Sequence, residues 1–239
     1  MGRTPVWKTI ADSLSRDIAS GRYQVGDKLP TEAQLSQKFA VNRHTVRRAI
    51  AALVEDGLVF TRRGAGVFVD CEPTEYRLGQ RVRYHKNLAA AGRLPGKEVL
   101  NSETRAADTE EAEVLSIEAG EPVHVHEGIS LSDGQPIAAF LSVFPAGRFP
   151  ELRTHLVKLK SVTAALSECG VTDYLRQSTR LTAVRARADH ARHLRVPEGA
   201  PMILSVSVNV DLSGNPIEYG RTWFAGDRVT LMLEHAKTG

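Results

Sequence analysis

Residues 111–123, EAEVLSIEAGEPV, return without gaps as residues 190–202, HARHLRVPEGAPM. Both copies keep the pattern Ala-x-x-Leu-x-(Ile/Val)-x-x-Gly-x-Pro, so Ala112, Leu115, Ile117, Gly120 and Pro122 correspond to Ala191, Leu194, Val196, Gly199 and Pro201. Further on, SDGQPI (132–137) matches SGNPI (213–217) with a one-residue adjustment, and PAGRF (145–149) returns as AGDRV (225–229). Each copy reads as a short helix, a Gly-Pro turn, a strand, a hairpin turn and a second strand, with Asp133-Gly134 and Ser213-Gly214 as the hairpin turns. A segment duplicated in this way limits the second half of the chain to a fold with internal pseudo-twofold symmetry.

Residues 202–212 alternate. Met202, Leu204, Val206, Val208, Val210 and Leu212 fall on one face, with Ser205, Ser207, Asn209 and Asp211 on the other. Period two marks a half-buried antiparallel strand, its aliphatic side inward. The expectation is an α+β domain, a mostly antiparallel sheet with helices packed on one face.

The first seventy residues obey a different period. Ile10, Leu14 and Ile18 form an apolar stripe on a first helix that stops near Gly21. Thr31 and Gln34 have capping-box spacing before a short second helix with Leu35 and Phe39 inward. Asn42 is placed to cap a third helix, whose stripe is Val46, Ile50, Leu53 and Val54. Arg43, Arg47 and Arg48 project from its remaining surface, and LVFTRRGAGVFV reads as two short strands around a hairpin tipped by Arg62 and Arg63. Three helices followed by a basic hairpin describe a winged helix-turn-helix. The start of its third helix can enter a major groove, where arginine donates bidentately to guanine.

Charge supports a polyanion partner for this part alone. Residues 1–70 hold 11 Lys+Arg against 7 Asp+Glu, whereas the remainder is slightly acidic. At 42% hydrophobic and 25% charged, the chain is long enough for two cores and is not of disordered composition. Cys71 and Cys169 lack metal or redox spacing, and no apolar run approaches a membrane span or signal-peptide core. The expected location is therefore cytoplasmic, without membrane association. The expected division is a DNA-binding domain over 1–70, a linker over 71–80 and an effector-binding and dimerisation domain over 81–239.

The stretch GDKLPTEAQLSQKFAVNRHTVRRAIAALVEDGLVFTRRGAGVFV resembles the DNA-binding domain of the GntR family of bacterial transcription regulators over residues 6–70. That resemblance implies DNA contacts from Asn42, Arg43, His44, Thr45 and Arg47 and, in the wing, Arg63 and Gly64. Many members carry Arg early in the second helix where this chain has Ala33, which implies a different operator preference. From about residue 78 the chain resembles the UTRA effector domain of the HutC subfamily, which shares its fold with chorismate lyase. GQRVRYHKNL, AAGR and LRQSTRLTAVRARAD are most similar to regulators of phosphonate utilisation, of the PhnF type.

Strand parity sorts the candidates for effector binding. His124, His126, Gly128 and Ser130 share a face, as do Ser142 and Phe144 in the first copy and Glu218, Thr222 and Phe224 in the second. Relatives that take phosphorylated ligands often carry Arg where this chain has Gly128 and Ser130, so the resemblance implies another cation for an anionic effector. Arg83, His85 and Lys86 at a helix start, and Arg180 on a candidate strand, are available. Two histidine pairs, His124-x-His126 and His190-x-x-His193, lack the further ligands a metal site needs, so neither metal nor cofactor is expected.

The resulting expectation is a homodimeric regulator of operator DNA, a repressor of a catabolic or transport operon, released by a phosphonate or phosphorylated metabolite. It is not expected to be an enzyme. The alternatives are a small-molecule enzyme of the chorismate-lyase fold and a DNA-binding protein without an effector.

Overall fold

The computed structural model describes residues 5–24, 26–62, 64–69 and 73–233. The chain divides into two compact units, residues 1–72 and 73–239.

In the first unit, α1 (Val6–Ala19), α2 (Glu32–Phe39) and α3 (Arg43–Glu55) precede an antiparallel hairpin of β1 (Val59–Arg62) and β2 (Gly66–Val69). Thr31 Oγ1 accepts from the Gln34 amide at 3.3 Å while Gln34 Oε1 accepts from the Thr31 amide at 2.8 Å, a complete capping box. Asn42 Oδ1 accepts from the Thr45 amide at 2.9 Å and fixes where α3 begins. Ile10, Leu14, Leu35, Val46, Ile50, Leu53, Val59 and Val69 close one core. The stripe on α3 needs one correction: Ala49 is buried and Val54 is exposed. Positions 46, 49, 50 and 53 follow the i, i+3, i+4, i+7 rule, and residue 54 lies a further 100° around the helix.

The second unit is built on a six-stranded antiparallel sheet in the order β4-β5-β6-β9-β8-β7. Its strands are β4 (Pro95–Ala106), β5 (Pro122–Ser132), β6 (Gln135–Pro145), β7 (Leu175–Arg185), β8 (Pro201–Val210) and β9 (Pro216–Ala225). With α5 (Thr109–Leu115) and α8 (Ala188–Leu194), β4-α5-β5-β6 and β7-α8-β8-β9 are the two copies of the repeat, and they meet at the β6/β9 pairing. Each copy thus has one more strand than the sequence pattern revealed.

Helices cover both faces of this sheet, not one. Helix α5 packs on Val123, Val125, Val143 and Tyr219, and α8 on Ile129, Met202 and Ala225. The opposite face takes α6 (Leu152–Leu159) and α7 (Val162–Glu168) against Phe144, and α4 (Tyr84–Ala90) near Ala138 and Phe224. Two helical layers fit because residues of both parities include large apolar side chains.

The expected linker also needs correction. Residues 71 and 72 lie outside the described residues, but β3 (Thr74–Leu78) pairs in parallel with β10 (Val229–Leu233), Thr74 opposite Val229 and Leu78 opposite Leu233. Thr74, Tyr76 and Leu78 are buried while Glu75 and Arg77 are exposed, so the segment alternates as a strand does. Five residues carry too little pattern to be recognised without the distant partner strand.

Candidate functional site

At the start of α3, Arg43, His44 and Arg47 are exposed and Thr45 is half-buried. The Asn42 side chain serves as the cap, also accepting from Thr45 Oγ1 at 2.9 Å. Glu32, in the first turn of α2, holds Arg47 by its Nε alone, at 2.8 and 3.0 Å. The two Nη groups of Arg47 have no partner among the described residues. A guanidinium held at Nε presents an Nη edge outward, the fork that matches paired acceptors. Arg48 instead lies over the Trp7 ring at 4.8 Å and ties α3 to α1. In the hairpin, Arg62 packs on Phe60 and Phe68 at 5.1 and 5.3 Å. Gly64 turns the tip at φ +76°, with open space where a side chain would stand. Arg63 lies outside the described residues.

In the second unit, one face of the sheet and its covering layer line a partly open cavity of about 100 Å³. Glu218 on its wall is hydrogen-bonded through both carboxylate oxygens. Its Oε1 accepts from Ser142 Oγ at 2.7 Å and its Oε2 from Asn209 Nδ2 at 2.6 Å. Asn209 Oδ1 in turn accepts from Arg176 Nε at 2.7 Å. Tyr76, Tyr84 and Tyr174 supply aromatic walls from β3, α4 and the loop before β7. Burial holds the Tyr174 phenol up at about 12, so it remains a neutral hydrogen-bonding group. Lys97 of β4 lines the same space, and burial brings its pKa down to about 8, opposed by the charge of Glu218.

The cavity explains why β8 does not follow its hydrophobic alternation. Ser205, Ser207 and Asn209 are buried, whereas Leu204, Val206 and Val208 on the helix side are half-buried. The polar face is covered because it forms the floor beneath the second layer.

Of the residues singled out in the sequence for effector binding, His85, Ser130, Ser142, Glu218 and Phe224 lie on this lining. Phe144 is fully buried in the core formed with α6 and α7. His126 is 1% exposed, neither ring nitrogen has a hydrogen-bond partner, and its ring lies 5.5 Å from Phe140. Burial, reinforced by the charge of Lys97, pushes its pKa down to about 4.

Phe144 and His126 are therefore not on the lining, and neither are three cations expected there. Arg83 is buried under structural work: it donates to Asp173 Oδ1 at 3.1 Å and the Tyr174 carbonyl at 2.7 Å, with its guanidinium 3.4 Å from the Tyr174 ring centre. Lys86 is exposed on α4 and not part of the lining. Arg180 faces the other side of the sheet, beside Leu204 and Trp223. A bulge between Arg176 and Ser178 reverses the parity of β7, turning Arg176 into the cavity and Arg180 away from it. Nothing in the sequence marks Lys97 and Arg176, which lie on edge strands, and the alternation of β8 assigns Asn209 to the face away from its aliphatic side. His124 engages its ring nitrogens with Thr104 Oγ1 at 2.8 Å and the Phe149 carbonyl at 3.0 Å. Among the described residues, no helix is long and apolar enough to cross a membrane.

Comparison with known proteins follows the same two-part division. Residues 7–69 match the model of the bacterial regulatory proteins of the gntR family, and residues 90–230 match that of the UTRA domain. The HTH-type transcriptional regulator RB1450 of Rhizobium meliloti is 37% identical, over 96% of this chain and 94% of its own. A protein named probable transcriptional regulator PhnF, of Escherichia coli, is 33% identical over 96% of this chain and 95% of its own. Among solved structures, PhnF from Mycobacterium smegmatis is similar at a TM-score of 0.64, with 26% identity, covering 96% of this chain and 100% of the other.

Proposed function

Because the chain belongs to the GntR family of bacterial transcriptional regulators and carries a UTRA domain, we propose that it is a homodimeric repressor that a small anionic effector releases from its operator. Two copies of α3 enter successive major grooves at the half-sites of a near-palindrome, and Arg43, His44, Thr45 and Arg47 face the bases and nearby phosphates. Asn42 fixes the helix start against the duplex, and the hairpin tip at Arg63 and Gly64 follows the adjoining groove. The effector occupies the cavity around Glu218 and lowers operator affinity by favouring one arrangement of the dimer over another, since only a difference in affinity between states can shift their balance. Its relatives include two proteins named PhnF, and the resemblance to phosphonate-utilisation regulators makes a phosphonate catabolic or transport operon the proposed target.

The observation that carries this reading is the uncommitted Nη edge of Arg47 on a capped, exposed helix end. Fluorescence anisotropy at fixed salt, with duplexes from the protein's own promoter region and a scrambled control, tests it. Arg47→Ala is expected to cost about 1–3 kcal/mol of specific affinity, with little effect on the scrambled duplex. Glu32→Gln, which loosens the guanidinium without removing it, is expected to cost less. Unchanged discrimination in Arg47→Ala overturns the assignment of Arg47 as a base reader.

A further inference from the structure

The cavity around Glu218 contains one ammonium group that feels the Glu218 charge but has no hydrogen-bond acceptor among the described residues. Lys97 stands directly across from Ser130 in the β4/β5 pairing. Its ammonium lies 4.4 Å from the Phe140 ring centre and 5.4 Å from that of Tyr84. Ring faces attract a cation but leave its three N–H donors without the strong acceptors they require. Among the described residues, no carboxylate or carbonyl supplies one. At the other end of the cavity the situation is reversed. Arg176, Asn209, Glu218 and Ser142 form a connected chain of hydrogen bonds in which the Arg176 Nε has an acceptor and both Glu218 oxygens have donors.

Phe140 cannot be separated from this arrangement. A Cβ at Gly128 would stand 2.7 Å from the Phe140 ring and closer still to the Glu98 carbonyl oxygen, so only glycine leaves room for the ring where it lies. The ring in turn flanks the Lys97 ammonium. Lys97, Arg176 and Glu218 are the charged groups on the lining, and together they carry one net positive charge. His85, also on the lining, is kept toward its neutral form by burial and by Lys97. The pKa of about 8 keeps Lys97 mainly cationic at neutral pH.

We propose that Lys97 is the oxyanion anchor of this cavity, and that the occupant is a small anion with a hydroxyl or ammonium group that donates to Glu218 at its other end. The net positive charge of the lining favours an anionic ligand. The volume of about 100 Å³, well under the ~300–1,000 Å³ of pockets for drug-sized molecules, suits a small ligand. Carboxylate, phosphate and phosphonate share the required chemistry, a charged oxygen that accepts from an ammonium at short range. The proposal rests on the reading of this cavity as the effector site.

The test is calorimetric titration of the full-length protein with inorganic phosphate, methylphosphonate, acetate and, as an uncharged control, glycerol. At least one anion is expected to bind the wild type, and the strongest of the three identifies the headgroup. Lys97→Met is expected to weaken that anion by about tenfold or more, as loss of a charge-assisted hydrogen bond does, and to leave any glycerol binding unchanged. If Lys97→Met does not fold, Lys97→Gln takes its place. Equal anion affinity in the neutral variant overturns the proposal, as does binding of glycerol alone, while both results leave the cavity standing as a ligand site. If none of the four binds the wild type, the effector-site reading falls and the anchor with it.

Discussion

His126 shows how one buried side chain ties this fold to pH. Its pKa of about 4 means that the folded protein keeps the ring neutral, whereas an unfolded chain protonates it near the ordinary histidine value of about 6.5. Between those limits the unfolded state binds more protons, so stability is complete above about pH 6.5 and falls as pH drops toward 4. His124 and His190 are lowered in the same direction, chiefly by burial, and add to the slope. Urea midpoints of the second unit at pH 7 and pH 5 are expected to differ less in His126→Leu than in the wild type. An equal difference in the two proteins means that His126 does not take part in the acid sensitivity.

At the level of elements, the β4/β5 pair depends on an absent side chain. A methyl group at Gly128 meets a backbone oxygen that cannot swing aside, so the two strands must separate locally. Gly128→Ala is expected to destabilise the second unit by about 1–3 kcal/mol, the usual range for overpacking, measured by urea denaturation. Elements differ in how far the sequence revealed them. The helices of the first unit were legible because caps and stripes are local: Thr31 with Gln34, Asn42 with Thr45, and Ile10 with Leu14 each lie within one turn. The inner strands β5, β6, β8 and β9 were legible through the duplication. The edge strands β4 and β7 mix half-buried and exposed residues on both faces, which erases the period of two. The cavity divided along the same line. Ser130, Ser142, Glu218 and Phe224 followed from inner-strand parity, whereas Lys97 and Arg176 stand on the edges and Tyr76, Tyr84 and Tyr174 come from the covering layer. Bulges at Val99/Asn101 and Arg176/Ser178 add reversals of face that no residue type announces.

For the whole molecule, the first unit has its own core of Ile10, Leu14, Leu35 and Leu53, and the second unit has several. The two tryptophans divide between them, Trp7 on α1 and Trp223 on β9. Trp7→Phe and Trp223→Phe therefore yield proteins whose fluorescence reports one unit each. Gly128→Ala is expected to lower the denaturation midpoint of the Trp223 signal and leave that of Trp7 in place, as separate cooperative units require. A parallel shift of both signals means that the chain unfolds as one.

The ladder between β3 and β10 has a mechanical side. It fastens the opening residues of the second unit to residues near its close, and Tyr76 at its centre is also a wall of the cavity. Anything that enters the cavity and displaces the phenol ring therefore loads the one rung at which wall and ladder are the same residue.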